Sequence, residues 1–556
     1  MKLPSFTQHR FLFLLAVFFA AVFFRLIFMG NYGIGFDQVQ ILEKATQIGH
    51  GHPSLIGPRT GPANMFTGPL IYYLTAPFVL LLNTVQVIAL VPTWIALVTG
   101  LSLFLLSKKY LGDKEAWILT VIWAFSPFIV NIDRILWNPD LILLSSSLVF
   151  FPLLKPKTNR IDLVSLFAGA FLAYQAHFSG LILIGLTLLS VVVLRQSWKR
   201  IGAVMLGSIL SIVPTVLFDL RNDFLNLRGL IGFATTKGEP QLLLTLKDIF
   251  HNFYIIGETL GKVFFFGNTT VLEIAFGLLI IGLGIFFYHQ TIWLKLLLGW
   301  SILVATLYSF YKGEKPEYYF LILLPVLLVL CAQLLKKVEM KMFTLLAGFF
   351  IITSAVMNIH LSSLDSGLTT GNLTQVKKVL LQQQVKDIVY DLPYGSDTGI
   401  RYVLADLPKN DSGKIFHVSY PNTLKYYQMT KVADIGIWAD PRPNPATFIT
   451  TQQYFISTNP DYSLLKDIYQ QNTLQDFDHY KVLKENQVIG ELSVADEAKS
   501  KLDWVESCLK QKSLQNPNWM ELPDHSYQKY AARFCIRLKM EPVMKDAPKV
   551  TGITFF

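Results

Sequence analysis

Charge is scarce in this sequence. Asp, Glu, Lys and Arg make up 15% of its 556 residues and hydrophobic residues 52%, where a soluble domain carries about 25% charged residues. Mean hydropathy is +0.43, which excludes an ordinary soluble enzyme and leaves an integral membrane protein. Glycine-rich phosphate loops are missing: neither GxGxxG nor a Walker pattern occurs, so a cytoplasmic nucleotide-sugar or ATP site finds no support. No basic patch with interleaved aromatics appears, and nucleic acid is not an expected partner. Cysteine is limited to Cys331, Cys508 and Cys535. The first lies in an apolar run, while the other two fall in a polar tail, where they either form a disulfide or remain two buried thiols. The opening apolar run, Phe11 to Met29, has no small-x-small cleavage site and is too long for a signal core, so it is expected to stay as a first span.

Long apolar runs are abundant. They recur at about 11–29, 85–107, 115–131, 140–154, 162–177, 179–194, 201–218, 272–288, 293–310, 318–335 and 343–360, roughly eleven spans of helical length. A twelfth run, Pro69 to Asn83, is short and carries two prolines and two tyrosines. Charge decides how to read it. From Leu361 onward there are 22 basic and 22 acidic residues, so the whole +10 excess lies in the first 360. If Pro69 to Asn83 does not cross, Lys2 and Arg10, Lys108, Lys109 and Lys114, Lys155, Lys157 and Arg160, Arg195, Lys199 and Arg200, Lys295, and Lys336, Lys337 and Lys341 all fall on one side, as cytoplasmic loops require. That segment is therefore expected to be re-entrant or interfacial.

This topology sends four pieces outward: the loop 30–69, the turn Asn131 to Asp140, the stretch Asp219 to Val271, and Tyr311 to Tyr319. The expected fold is a polytopic α-helical membrane protein, with a catalytic transmembrane domain over 1–360 and an extracytoplasmic soluble α/β domain over 361–556. In the tail the pattern predicts an amphipathic helix at Leu373 to Leu392 and short strands in IFHVSY, ATFITTQQYFIS and QVIGELSV.

An acid just past a span, in a loop too long to be a connector, is the natural place for chemistry. Asp37 occupies it, with Glu43, His50, His52 and Arg59 following. As plain structure, Asp37 would cap the helix-like VQILEKATQIG. As chemistry, it would accept a proton or help hold a divalent metal beside a phosphate; no cofactor is certain. Arg59, Arg134, Arg221, Lys312 and Lys315 are the outer cations that a phosphate would call for, or else groups that reach for lipid headgroups. Tyr72, Tyr73, Tyr318 and Tyr319 would line a binding site, or form an ordinary aromatic belt. His177 and Asp140 close the set of candidates, with capping of the next helix as the alternative for Asp140.

Taken in order, Arg25 ending the first span, GFDQVQ, FTGPLIYYLTAPF, DRILWNPD, KPEYYFLILLP and the polar tail resemble glycosyltransferase family 39. That group contains the protein O-mannosyltransferases and the lipid A aminoarabinose transferases and has the C-type membrane glycosyltransferase (GT-C) fold. The resemblance covers about residues 1–360. It implies a polyprenyl-phosphate-sugar donor, transfer with inversion, a glycan, lipid or protein acceptor on the extracytoplasmic face of the cell membrane, and Asp37 as the catalytic carboxylate. The family's Asp-Glu pair is Asp37-Gln38 here, leaving a single matching carboxylate. The rival is a transporter, flippase or polymerase of lipid-linked glycans. A transporter would show inverted repeats and midplane charges; no repeat is visible, and most acids sit at span ends.

Overall fold

In the computed structural model the described residues are 8–60, 65–235, 246–265, 270–288, 291–310, 315–364, 367–392, 397–420 and 430–439, with short strands beyond. The chain divides into two compact units, Met1–Tyr32 with Asp37–Leu364, and Gly33–Phe36 with Asp365–Phe556.

The first unit is helical: α1 (Gln8–Leu26), α2 (Phe36–Gly49), α3 (Leu70–Val79), α4 (Thr84–Tyr110), α5 (Asp113–Phe125), α6 (Pro127–Ile132), α7 (Leu141–Leu153), α8 (Arg160–Ala176), α9 (Ser179–Val193), α10 (Trp198–Arg221), α11 (Leu225–Thr235), α12 (Leu246–Phe265), α13 (Thr270–Tyr288), α14 (Ile292–Ser309), α15 (Leu324–Lys337) and α16 (Met340–Ser363). A two-stranded ribbon, β1 (Arg59–Thr60) and β2 (Met65–Phe66), precedes α3. Among the described residues seven helices are long and apolar enough to cross a membrane. The remaining expected spans are shorter helices, α5, α7, α8 and α9, whose ends meet neighbouring helices.

Local chemistry sets the boundaries. Asn83 and Gln86 form a reciprocal cap that starts α4, and Asn159 with Asp162 does the same for α8, each satisfying amides that a helix start leaves open. Pro127 ends α5 by forcing Ser126 out of helical geometry. At ten residues, α3 is about 15 Å long, half the hydrocarbon thickness, and is too short to cross it alone.

The basic clusters meet at one end of the bundle. Arg10 reaches Asp113 at 3.2 Å, Lys109 reaches Asp162 at 2.7 Å, buried Arg200 donates to the carbonyls of Lys155 and Lys157, and Lys114 donates to the Lys336 carbonyl. Such pairings exist only if these helix ends are level, so the charge pattern and the packing agree.

The stretch from Asp219 to Val271, expected to be outer and left without elements, contains α11 and α12. Asn252 near the start of α12 donates to Ala305 and Ser309 at the end of α14, while Val263 near its end accepts from Ser126. Both ends of α12 are thus fixed to the half of the bundle away from the basic clusters.

In the second unit, α17 (Thr370–Leu381) is capped by Thr369. β3 (Val385–Asp391) and β4 (Lys414–Ser419) run parallel, connected through α18 (Asp397–Leu404), and β5 (Thr430–Val432) and β6 (Ile435–Ala439) complete an antiparallel edge in the order β3-β4-β6-β5. The helix expected to reach Leu392 stops at Leu381, because the β-branched Val385, Ile388 and Val389 pack better in a sheet than along a helix. The strand expected in IFHVSY is β4. Within ATFITTQQYFIS only Phe455 and Ile456 are described, as a strand, and QVIGELSV is a strand over Gln487–Ser493. Cys331 is a buried thiol; Cys508 and Cys535 lie outside the described residues.

Candidate active site

Away from the basic end, three chain segments converge. The first is the start of α2. Asp37 lies in its first turn and keeps solvent access, yet the protein around it withholds enough water to lift its carboxyl above the ordinary carboxylate range. Its charge is felt at the hydroxyl of Tyr72, whose ring is 1% exposed. Next in sequence, Gln38 donates to the Leu136 carbonyl at 3.1 Å, which places α2 against the turn Asp133 to Asp140.

That turn is the second segment. Asp133 is buried and takes two bonds from Arg25, at 2.6 and 3.0 Å. Arg134 donates to the carbonyls of Phe24, Arg25 and Ile27 at 2.8 to 3.2 Å, and its guanidinium lies 4.4 Å from the Tyr32 ring centre. It therefore closes the C-terminus of α1, whose last carbonyls have no helical partner. Trp137 donates its indole N–H to Asp140 Oδ1 at 2.6 Å. The other oxygen, Asp140 Oδ2, is buried without a partner beside a recess with room for about one water, lined in part by Asp133, Pro139 and Leu321.

The third segment is the 3-10 turn Glu317–Leu323 that leads into α15. The Tyr318 ring sits 4.9 Å from Trp137 and 5.4 Å from His177, and Tyr319 is 4.9 Å from His177. His177 Nδ1 accepts the Ser179 amide at 3.1 Å, so in the neutral ring the proton is on Nε2. The corner between α8 and α9 needs glycine: a Cβ on Gly180 would stand 1.9 Å from the Ala173 carbonyl oxygen.

Arg59 occupies the ribbon before α3. Its Nε is buried without a hydrogen-bond partner. Gln175 Oε1 holds the Leu70 amide at 3.0 Å, and a Cβ on Gly68 would come within 2.1 Å of that oxygen, which explains the glycine of FTGPL. Tyr73 is occupied as a clip, its hydroxyl donating to the Ser54 carbonyl at 2.9 Å and accepting the Ser54 amide at 3.1 Å. Lys315 precedes the 3-10 turn, and Lys312 lies outside the described residues.

Asp37, Tyr72, Asp140, His177 and Tyr318 thus gather at one end of the bundle, joined by Trp137, which the sequence reading did not single out. Lys262 is another addition: it binds Glu258 at 2.8 Å and also Glu317, fastening α12 to the Tyr318 turn. A Glu-x-x-x-Lys spacing marks this pair in the sequence, but its third member is not deducible from spacing. Among the described residues no cluster of three or more His, Cys, Asp or Glu could hold a metal ion.

No family model matches this chain, and no curated protein matches it. Solved structures do. The chain is similar to ArnT from Cupriavidus metallidurans in the apo state, with 13% identity, TM-score 0.52 and coverage of 78% of this chain and 98% of that one. Against ArnT bound to undecaprenyl phosphate the identity is 10%, the TM-score 0.50 and the coverage the same. An oligosaccharyltransferase from Archaeoglobus fulgidus aligns over 75% of this chain and 59% of its own, with 14% identity and TM-score 0.40. The fold of this chain is therefore that of the ArnT structure, a polytopic helical membrane fold shared over most of both chains.

Proposed function

We propose that this protein transfers a sugar from a polyprenyl-phosphate carrier to an acceptor hydroxyl or amine on the extracytoplasmic face of the cell membrane, with inversion at the anomeric carbon. One observation carries the reading: Asp37, the carboxylate of the first long loop, stands exposed in the first turn of α2, whose next residue, Gln38, is tied to the Leu136 carbonyl of the turn Asp133 to Asp140. Its carboxyl is harder to ionise than a free carboxylate because burial disfavours the charged form, which makes it a better proton acceptor once ionised.

In the reaction, Asp37 receives the proton of the acceptor group as the acceptor atom bonds to the anomeric carbon. The bond from that carbon to the phosphate oxygen breaks, and its electron pair leaves on the polyprenyl phosphate. A single displacement gives inversion. The growing charge on the leaving phosphate needs cations. Arg59 is proposed for this role because its guanidinium has an unpartnered buried Nε, and Lys315 and Lys312 are proposed beside it. Arg134 acts differently, since its donors are spent on α1. His177 and Tyr318 line the pocket. An ArnT structure of this fold was solved with undecaprenyl phosphate, and the donor class proposed here is a lipid phosphate of that kind.

The test uses membranes containing the full chain and a panel of radiolabelled undecaprenyl-phosphate sugars. Wild type is expected to move label from at least one of them into a lipid, glycan or protein fraction. A chain that consumes none of the panel while remaining folded would contradict the proposal.

A further inference from the structure

Trp137 is only partly buried, but its polar end is fixed. The indole N–H is anchored on Asp140, a side chain 5% exposed, and the ring is braced edge-on by Tyr318, which rests in turn on His177. One residue before it, the Leu136 carbonyl is tied to Gln38, the neighbour of Asp37. A braced, only partly buried aromatic ring thus stands on the turn to which the neighbour of the proposed base is tied. Packing alone does not explain it, since a tryptophan held only as core would be covered, and a lipid-facing one would not have its N–H end engaged in the protein interior.

We propose that Trp137 is the platform on which the transferred sugar ring stacks, and that Asp140 is its positioning residue, not a group that touches substrate. This rests on the transfer reading above but concerns a separate step, recognition of the sugar. The apolar face of a pyranose lies on the indole and is thereby oriented with its anomeric carbon toward Asp37. Asp140 acts through a hydrogen bond that either a carboxylate or an amide oxygen accepts, so its ionised state is not required.

The experiment measures equilibrium binding, which needs no turnover. Purified full chain in nanodiscs is titrated with undecaprenyl phosphate and with undecaprenyl-phosphate-glucose. Wild type is expected to bind the sugar-bearing lipid about three- to tenfold more tightly, the range expected of one aromatic contact. Trp137→Ala and Asp140→Ala should both erase that preference while leaving affinity for bare undecaprenyl phosphate within about twofold. Trp137→Phe and Asp140→Asn should keep most of it, and Trp137→Ala/Asp140→Ala should be no worse than either single change. If Asp140→Asn loses the preference as fully as Asp140→Ala, the carboxylate itself meets the sugar and the positioning role is wrong. If wild type shows no preference, or Trp137→Ala keeps it, the platform is wrong. Failure of the transfer reading would appear elsewhere, as a wild type that prefers the sugar-bearing lipid and transfers nothing.

Discussion

Arg25 and Asp133 meet at 2.6 Å inside the helix bundle, with the guanidinium side chain fully buried. Arg25 also donates to the carbonyls of Ala21 and Trp123 and lies 4.6 Å from the Trp123 ring centre. Both charges are thus largely withdrawn from solvent. Replacing Asp133 by Leu strands the arginine, at a cost of about 3–5 kcal/mol. Thermal unfolding in detergent should fall well below wild type for Asp133→Leu and for Arg25→Met alone, and by less for the double variant, in which both buried charges are removed.

Arg134 and Arg59 should respond in opposite ways. Arg134→Lys cannot lay a flat guanidinium on Tyr32 or offer a second nitrogen to the Phe28 carbonyl. It is expected to lower thermal stability by about 1–3 kcal/mol while the KM for donor changes little. Arg59 gives up no hydrogen bond when replaced, so Arg59→Ala should keep the wild-type Tm yet raise the Kd for undecaprenyl phosphate by about tenfold or more. Calorimetry and lipid binding on both variants check the contrast.

The pH dependence follows from Asp37. Burial favours its neutral form, so its carboxyl titrates above the ordinary 3.8, and only the ionised form accepts a proton. Transfer should fall as pH drops through that raised value, giving an acid limb on kcat/KM that lies above the range of a free aspartate. The stability sign is opposite. Between the unfolded and folded pKa values the folded chain binds more protons, so stability declines as pH rises. Asp37→Asn should accordingly be at least as stable as wild type at pH 7.5, and a lower Tm for the variant would mean that the carboxylate is a structural cap.

The parts legible in the sequence were those governed by a period or a sign. Apolar runs gave the helices, and the lysine and arginine clusters set the expectation that Pro69 to Asn83 does not cross. Asp37 was found from its place after α1, and FTGPL from its composition, although why Gly68 is needed depends on Gln175, more than a hundred residues away. What escaped were relations that only packing creates. The Arg25–Asp133 pair joins α1 to a turn 108 residues later. Trp137 gains its interest from Tyr318, and Lys262 from Glu317. Helix α12 is not announced by any unbroken apolar run, because Asp248, Asn252, Glu258 and Lys262 interrupt its apolar residues along the sequence.

The central claim is that Asp37 takes the acceptor proton during sugar transfer from a lipid phosphate. Its most direct test is single-turnover transfer by wild type and Asp37→Asn at pH 7.5, using the undecaprenyl-phosphate sugar that wild type consumes and protein matched for folded content. The account predicts that Asp37→Asn binds the donor within about threefold of wild type and transfers at least about a hundredfold more slowly, in the range of general base catalysis. Transfer by Asp37→Asn at the wild-type rate would contradict it.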